Sequence, residues 1–346
     1  MKKLWYNFIR YYIKFGIFFY TKKIKVVGKK NIPKKGAVLF AVNHPNGLLD
    51  PLLVTTNAPR NTHYLVRAAV FKKPLIKKFL ATLNLMPIYR IRDGVKELSK
   101  NTEVFNDCFK ILKNEDALMI FPEGSHNKRR TVRNLSKGFT RIVFGAFDTY
   151  PELKITVIPV GITYQQASKF PSKVAIHFGK PILANEYYNS EELNNSINTL
   201  KEEISNQLKE LSVHIPADEN YQNVLSELNA KNVDFTDVKR VNKSIKSGKI
   251  ENNKTQIDFL KPLYYIIVLN SIIPWLIWKV LSKKIDEIEF IDTFRVTVGI
   301  TLFPIFYVIQ SLIIYNYYNL KIAVIYFFAT LTLQIIYSKF TTTPTQ

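Results

Sequence analysis

The 346-residue sequence predicts an α/β fold, a mixed sheet flanked by helices, with an all-α membrane segment at its C-terminal end. Three observations predict it. Apolar runs at 37–42, 117–121, 155–160 and 174–179 have the length and composition of buried strands. The first three are separated by enough chain for crossover helices. Residues 259–346 are mostly apolar and contain three uncharged windows, 262–278, 296–320 and 322–338.

Taken in order, residues 1–23 read as an amphipathic interfacial helix. Lys3, Asn7, Arg10 and Lys14 recur at helical spacing as one narrow polar stripe, and Leu4, Trp5, Phe8, Ile9, Tyr12, Phe15 and Phe19 fill the rest of the circumference. Charges inside the apolar stretch make it a poor spanning helix and a good interfacial one. No small-residue cleavage site follows, which disfavours a signal peptide. Residues 24–230 read as the α/β domain with a helical extension, since Leu193, Ile197, Leu200, Ile204, Leu208 and Leu211 mark an amphipathic helix within 190–211. The polar, Lys/Asn/Ser-rich stretch 231–258 reads as a linker, and 259–346 as the membrane domain. There the window 296–320 suffices to cross a bilayer core of about 30 Å, for which ~20 residues are needed. Asn270, Ser271 and Pro274 in the first window favour a re-entrant or interfacial segment, followed by a spanning hairpin; three crossings are the alternative. Lys283, Lys284 and Arg295 favour a cytoplasmic loop.

Forty-nine basic residues against 27 acidic ones give a net charge of +22, of which +19 lies in residues 1–258. Residues 1–35 carry eleven bases and no acid. Such an excess calls for anionic company: membrane head groups, phosphorylated substrates or nucleic acid. A content of 47% hydrophobic and 13% aromatic residues excludes a disordered basic tail. The single cysteine, Cys108, excludes an intramolecular disulfide framework, and no metal-ligand pattern is present. No helix-turn-helix, zinc or aromatic RNA motif supports nucleic acid.

Two polar clusters follow directly on apolar runs, where an open α/β sheet places its ligands. The first is Asn43-His44-Pro45-Asn46-Gly47-Leu48-Leu49-Asp50-Pro51. A histidine at a strand end suits proton transfer near neutral pH, and a carboxylate can fix its tautomer. Read blandly, it is a turn. The second is Phe121-Pro122-Glu123-Gly124-Ser125-His126-Asn127-Lys128-Arg129-Arg130, followed by Arg133, Lys137, Gly138 and Arg141. Glycine beside dense basic charge suits a phosphate loop, and a solvated basic loop is the competing reading.

Together with Met86-Pro87-Ile88-Tyr89-Arg90, Lys137-Gly138 and Val157-Ile158-Pro159-Val160-Gly161, these clusters resemble, in order and spacing, the blocks of the glycerolipid acyltransferase family, over roughly residues 24–182. The resemblance implies an acyltransferase using an acyl-CoA or acyl-carrier-protein thioester as co-substrate, a glycerol phosphate acceptor, and no cofactor or metal. It implies His44 and Asp50 as the catalytic pair, and Arg90, Glu123, Gly124, Ser125, Arg129, Arg130 and Lys137 as acceptor or phosphate contacts. Arg133, Arg92 and Arg67 are further candidates; His63, His177 and His214 read as structural. Two departures stand out. Five residues separate His44 from Asp50 where four are commoner, a spacing similar to that of fungal glycerol-3-phosphate/dihydroxyacetone-phosphate acyltransferases, and His126 stands where many members carry arginine. The implied setting is a membrane with anionic lipid, the catalytic domain on its cytoplasmic face, in phospholipid biosynthesis. Competing readings are a non-catalytic lipid-binding protein on the same scaffold, or an acyltransferase for dihydroxyacetone phosphate or another polar lipid.

Overall fold

A computed structural model describes residues 2–89, 95–253 and 257–343. Its centre is an eight-stranded mixed sheet of β1 (Lys23–Val27), β2 (Ala37–Val42), β3 (Thr62–Arg67), β4 (Leu85–Ile88), β5 (Ala117–Ile120), β6 (Ile155–Tyr164), β7 (Lys173–Phe178) and β8 (Ile182–Leu183). The order is β1-β7-β6-β2-β5-β3-β4, with β8 pairing β6. β6 runs antiparallel to β7 and β8, and every other pairing is parallel. β2 sits between β5 and β6 with all six residues buried, so it needs a continuous apolar run and no alternation. β1, β3 and β4 escape the sequence reading for the opposite reason. β1 (Lys-Ile-Lys-Val-Val) is a peripheral strand alternating lysine with apolar residues, β3 carries Thr62, His63 and Arg67, and β4 (Leu-Met-Pro-Ile), at the other edge, is only four residues long and holds a proline.

Helices cover both faces. One face packs on α4 (Asn101–Lys113), α5 (Gly138–Thr149) and α6 (Leu193–Leu211), through Cys108, Leu112, Phe139, Ile142, Leu200, Ile204 and Leu208. The other packs on α2 (Leu49–Asn57) and on two helices from opposite ends of the chain, α1 (Lys2–Tyr20) and α11 (Ile291–Tyr317), through Leu53, Ile17 and Val296. The start of the C-terminal hairpin thus packs into the core of the α/β domain. α1 buries Tyr6 and Ile17 and leaves Leu4, Phe8, Tyr11, Phe15 and Phe18 exposed. The short helix α3 (Pro74–Thr82) has no buried residue and exposes Leu75, Ile76 and Phe79, beside Lys72, Lys73, Lys77 and Lys78.

The linker expected at 231–258 is corrected. α7 (Tyr221–Ala230) and α8 (Val238–Ser247) form a small subdomain whose core joins Val213, Ile215, Tyr221, Leu228, Phe235, Val238 and Val241 to Ala175 of β7. Its apolar residues are few but fall on one face of a short helix, which a composition count overlooks. Beyond it, α9 (Lys261–Asn270) and α10 (Ile272–Ser282) are bent by 101° at Ser271. Among the described residues, the segment Ile288–Tyr317 and α12 (Leu320–Phe340) are each long and apolar enough to cross a membrane, and the bent pair counted as one segment would make a third by length and composition.

Candidate functional site

The site forms at the carboxyl ends of β2 and β5. Asn43, the first residue past β2, copies the sheet with its side chain: Oδ1 accepts from the Ile162 N–H at 2.7 Å and Nδ2 donates to the Ile162 carbonyl at 3.1 Å. This holds the strand end against β6 and presents His44 at the rim. The imidazole stacks on Phe121, ring centroids 3.9 Å apart, and its Nδ1 lies 2.8 Å from Asp50 Oδ2. The residue beyond the common His–Asp spacing is absorbed in the loop, because α2 starts at Leu49 and Asp50 sits in its first turn.

Asp50 is fully buried and has three partners. Oδ2 also accepts the Asn46 N–H at 2.7 Å, and Oδ1 accepts the Tyr164 hydroxyl at 2.7 Å. Burial pushes its carboxyl well above the usual carboxylate range, while the Tyr164 and Asn46 hydrogen bonds pull it back. Tyr164, buried in turn and facing Asp50, titrates far above an ordinary phenol. Sequence reading missed Tyr164, which lies 114 residues from its partner at the end of a strand that reads as core.

The second cluster is joined to the first by the Asn127 N–H, which donates to the His44 carbonyl at 2.9 Å. Gly124 takes φ +74°, a left-handed conformation that glycine adopts without strain. Glu123, with its side chain only 4% exposed, receives Arg133 Nε at 2.9 Å and Nη2 at 2.6 Å. Burial still leaves the Glu123 carboxyl above its ordinary value, against the pull of Arg133. Arg133 Nη1 also donates to Ser125 Oγ at 2.7 Å.

The arginines of this cluster are spread among different partners. Arg130 donates to the Tyr164 and Gln165 carbonyls at 2.9 and 2.8 Å and stacks on Phe235 at 3.6 Å, so it pins the helical subdomain to β6. Burial lowers its guanidinium to about 10. The side chain has its donors on protein carbonyls, which argues against a phosphate-binding role. Arg129 is exposed and lies over the Tyr221 ring at 4.2 Å. Lys137 is exposed at the start of α5, and its carbonyl accepts the Thr140 hydroxyl. Arg90 and Arg92 lie outside the described residues. A solvent-open cleft lies beside His44, lined among others by Asn43, Glu123, Lys128, Arg129 and Tyr221. Among the described residues, no group of three or more His, Cys, Asp or Glu side chains could hold a metal ion.

Two residues of the site come from far along the chain. Glu287 Oε2 lies 2.7 Å from His126 Nε2, and the His126 ring meets His44 edge-to-face at 5.6 Å. Asp292, 2% exposed, accepts from Asn46 Nδ2 at 2.6 Å. At the sequence level both read only as loop charges diluting a positive flank.

Residues 23–163 match the family model described as Acyltransferase. Among curated relatives, Glycerol-3-phosphate O-acyltransferase 1 of Saccharomyces cerevisiae is 29% identical over 115 residues, 32% of this chain and 15% of the relative. Glycerol-3-phosphate O-acyltransferase 2 of the same yeast is 28% identical over 34% of this chain and 16% of its own length. A Mycoplasma pneumoniae protein named "Probable 1-acyl-sn-glycerol-3-phosphate acyltransferase" is 26% identical over 44% of this chain and 56% of its own. The matched segment therefore spans under a sixth of the yeast proteins and about half of the bacterial one. Among solved structures, the 1-acyl-sn-glycerophosphate acyltransferase of Thermotoga maritima aligns with TM-score 0.44 and 20% identity, over 60% of this chain and 81% of that one. The resemblance read from the sequence blocks holds.

Proposed function

We propose, with an acyltransferase domain at residues 23–163 as the premise, that this chain transfers a fatty acyl group from a thioester, acyl-CoA or acyl-carrier protein, to a hydroxyl of glycerol-3-phosphate or its 1-acyl derivative at a membrane surface. The observation that carries the reading is the His44–Asp50 contact at 2.8 Å, at the edge of a polar cleft. With Nδ1 engaged by Asp50, the neutral ring has its basic lone pair on Nε2. Nε2 takes the proton of the acceptor hydroxyl as that oxygen attacks the thioester carbonyl. The C–S bond then breaks, and the departing thiolate recovers the proton from the imidazolium. Asp50 holds the tautomer and stabilises the cation, as in a serine hydrolase triad, but the substrate hydroxyl replaces the serine. Lys128, half-buried on the cleft, and exposed Arg129 are the described cations suited to the acceptor phosphate, joined by Arg90 on the family pattern. Arg133 and Glu123 shape the loop.

The membrane reading rests on the two long apolar helices and on the outward Leu4, Phe8, Phe15, Leu75, Ile76 and Phe79 of α1 and α3. Lysines beside these residues suit anionic lipid, and the pathway served is phospholipid synthesis. Glu287 touches His126, so the 283–295 loop lies on the same side as the site, and its Lys283, Lys284 and Arg295 favour the cytoplasmic face.

Labelled acyl transfer to a panel of glycerol-3-phosphate, 1-acylglycerol-3-phosphate and dihydroxyacetone phosphate tests the reading. Wild type is expected to acylate one of them, and His44→Ala to lose about 10³-fold in kcat while keeping its Tm. Full activity in His44→Ala would discard the mechanism.

A further inference from the structure

We propose that residues 287–293 are a working wall of the catalytic site, and that Asp292 is a positioning residue that sets the His44–Asp50 pair through Asn46. The inference rests on the acyltransferase reading for its kinetic consequence and on geometry alone for its structural one.

The carboxylate of Asp292 collects donors from several parts of the chain. Oδ2 accepts Asn46 Nδ2 at 2.6 Å and the Ser168 N–H at 2.8 Å, while Oδ1 accepts the Tyr20 hydroxyl and Arg295 Nη1 at 3.4 Å. A carboxylate 2% exposed is costly unless paired, and here α1, the catalytic loop and the 165–172 loop all pair it. Asn46 is fully buried, and among the described residues its Oδ1 has no partner. The bond to Asp292 is therefore what orients this side chain. The backbone N–H of the same residue donates to Asp50 Oδ2, the oxygen that meets His44 Nδ1. Asp292, Asn46, Asp50 and His44 form one continuous line of contacts.

Neighbouring contacts close the wall. The Leu48 N–H donates to Thr293 Oγ1 at 3.0 Å. The Ser168 hydroxyl donates to the Ile288 carbonyl at 2.8 Å. Gly47 approaches so closely that an added Cβ would lie 2.9 Å from the Glu289 carbonyl oxygen and 3.0 Å from Thr293 Oγ1. Phe290 packs edge-to-face on His126, whose Nε2 is held by Glu287. Apart from this wall, the loop His44 to Leu48 is held by the backbone bonds of Asn46 to Asp50 and by the Asn127 N–H on the His44 carbonyl, while the Asn46 side chain and the Leu48 N–H depend on the wall. A misplacement of about 1 Å at such a site costs on the order of 10²-fold in rate.

The test uses the full chain in detergent or nanodiscs, with Asp292→Ala, Asp292→Asn and Thr293→Val, and Asp286→Asn as a neighbouring-acid control. Two readouts are taken: steady-state kinetics on the acceptor that wild type acylates, and hydrogen–deuterium exchange over residues 43–50. Asp292→Ala is expected to lower kcat 30- to 100-fold with KM changed less than threefold. Asp292→Asn, which keeps one acceptor oxygen, and Thr293→Val should each lose about three- to tenfold, and Asp286→Asn should match wild type. Exchange at 43–50 should accelerate in Asp292→Ala and Thr293→Val while β2 and β6 stay protected. Unchanged kcat and unchanged exchange in Asp292→Ala overturn the proposal, as does a loss confined to KM. Should both Asp292 variants fail to fold, Thr293→Val decides by the same criteria. Should wild type acylate nothing, the acyltransferase reading falls, while the exchange at 43–50 still decides whether this wall holds the loop.

Discussion

The two polar clusters were built from similar sequence signals and end differently. In the first, the partners lie six residues apart, and the pair is complete once the chain turns from β2 into α2. In the second, the density of arginine suggests one anion site, but the guanidinium groups go to carbonyls (Arg130), to a buried carboxylate (Arg133) and over a tyrosine ring (Arg129). The His44–Asp50 contact itself is made locally, while the groups that hold it, Tyr164 and Asp292, come from far along the chain. Long cationic side chains reach different neighbours, and those neighbours come from the fold.

That contrast is most exposed to challenge at Arg133. If Arg133 serves Glu123 and not a ligand, Arg133→Ala strands a buried carboxylate and should destabilise the protein by about 3 kcal/mol. The deficit in Tm should shrink as pH falls, because the Glu123 carboxyl, already raised by burial, rises further without its partner and needs no counter-charge once protonated. Glu123→Gln combined with Arg133→Ala should recover much of the loss. A stable Arg133→Ala with a raised acceptor KM would move Arg133 to the ligand side.

The first cluster is probed next by Tyr164→Phe. The hydroxyl at 2.7 Å favours ionised Asp50, so its removal raises a carboxyl that burial has already raised. The acid limb of the kcat/KM profile should move upward by about one pH unit, since one unit corresponds to ~1.4 kcal/mol and a hydrogen bond to a charged group contributes ~1.5–3 kcal/mol. At the plateau, activity should fall only a few-fold. An unshifted limb would mean that Asp50 does not control the profile.

The smallest effect separates the two exposed cations. Arg129→Ala should raise the acceptor KM by about three- to tenfold without touching Tm, and Lys137→Ala, which lies away from the cleft, should be neutral. Equal effects from both would restore the single-patch view that the sequence suggested.

Much of the architecture is legible in the sequence. The strands at 37–42 and 117–120, the helix at 193–211 and the apolar C-terminal helices all announce themselves, because burial on all sides or along one stripe leaves a periodic trace. β1 leaves none, since this edge strand breaks its apolar residues with lysine, and β4, Leu-Met-Pro-Ile, is too short and is interrupted by a proline. The subdomain at 213–250 was hidden in a polar composition with a handful of anchors such as Phe235 and Val241. Within the site, His44 and Asp50 could be read off, whereas Tyr164, Glu287 and Asp292 could not. Contacts spanning 114, 161 and 246 residues have no local signature.

Asp292 stands four residues before Val296, where the uncharged stretch of α11 begins. At 1.5 Å per residue that is one helical turn, about 6 Å. On the membrane reading, the helix acts as a plumb line that suspends the reacting histidine at one fixed altitude over the hydrocarbon. A substrate that carries its own acyl tail arrives at that altitude by lateral diffusion, so its effective concentration is counted per unit of membrane area. A tail-less acceptor must instead be caught from three dimensions, by charge.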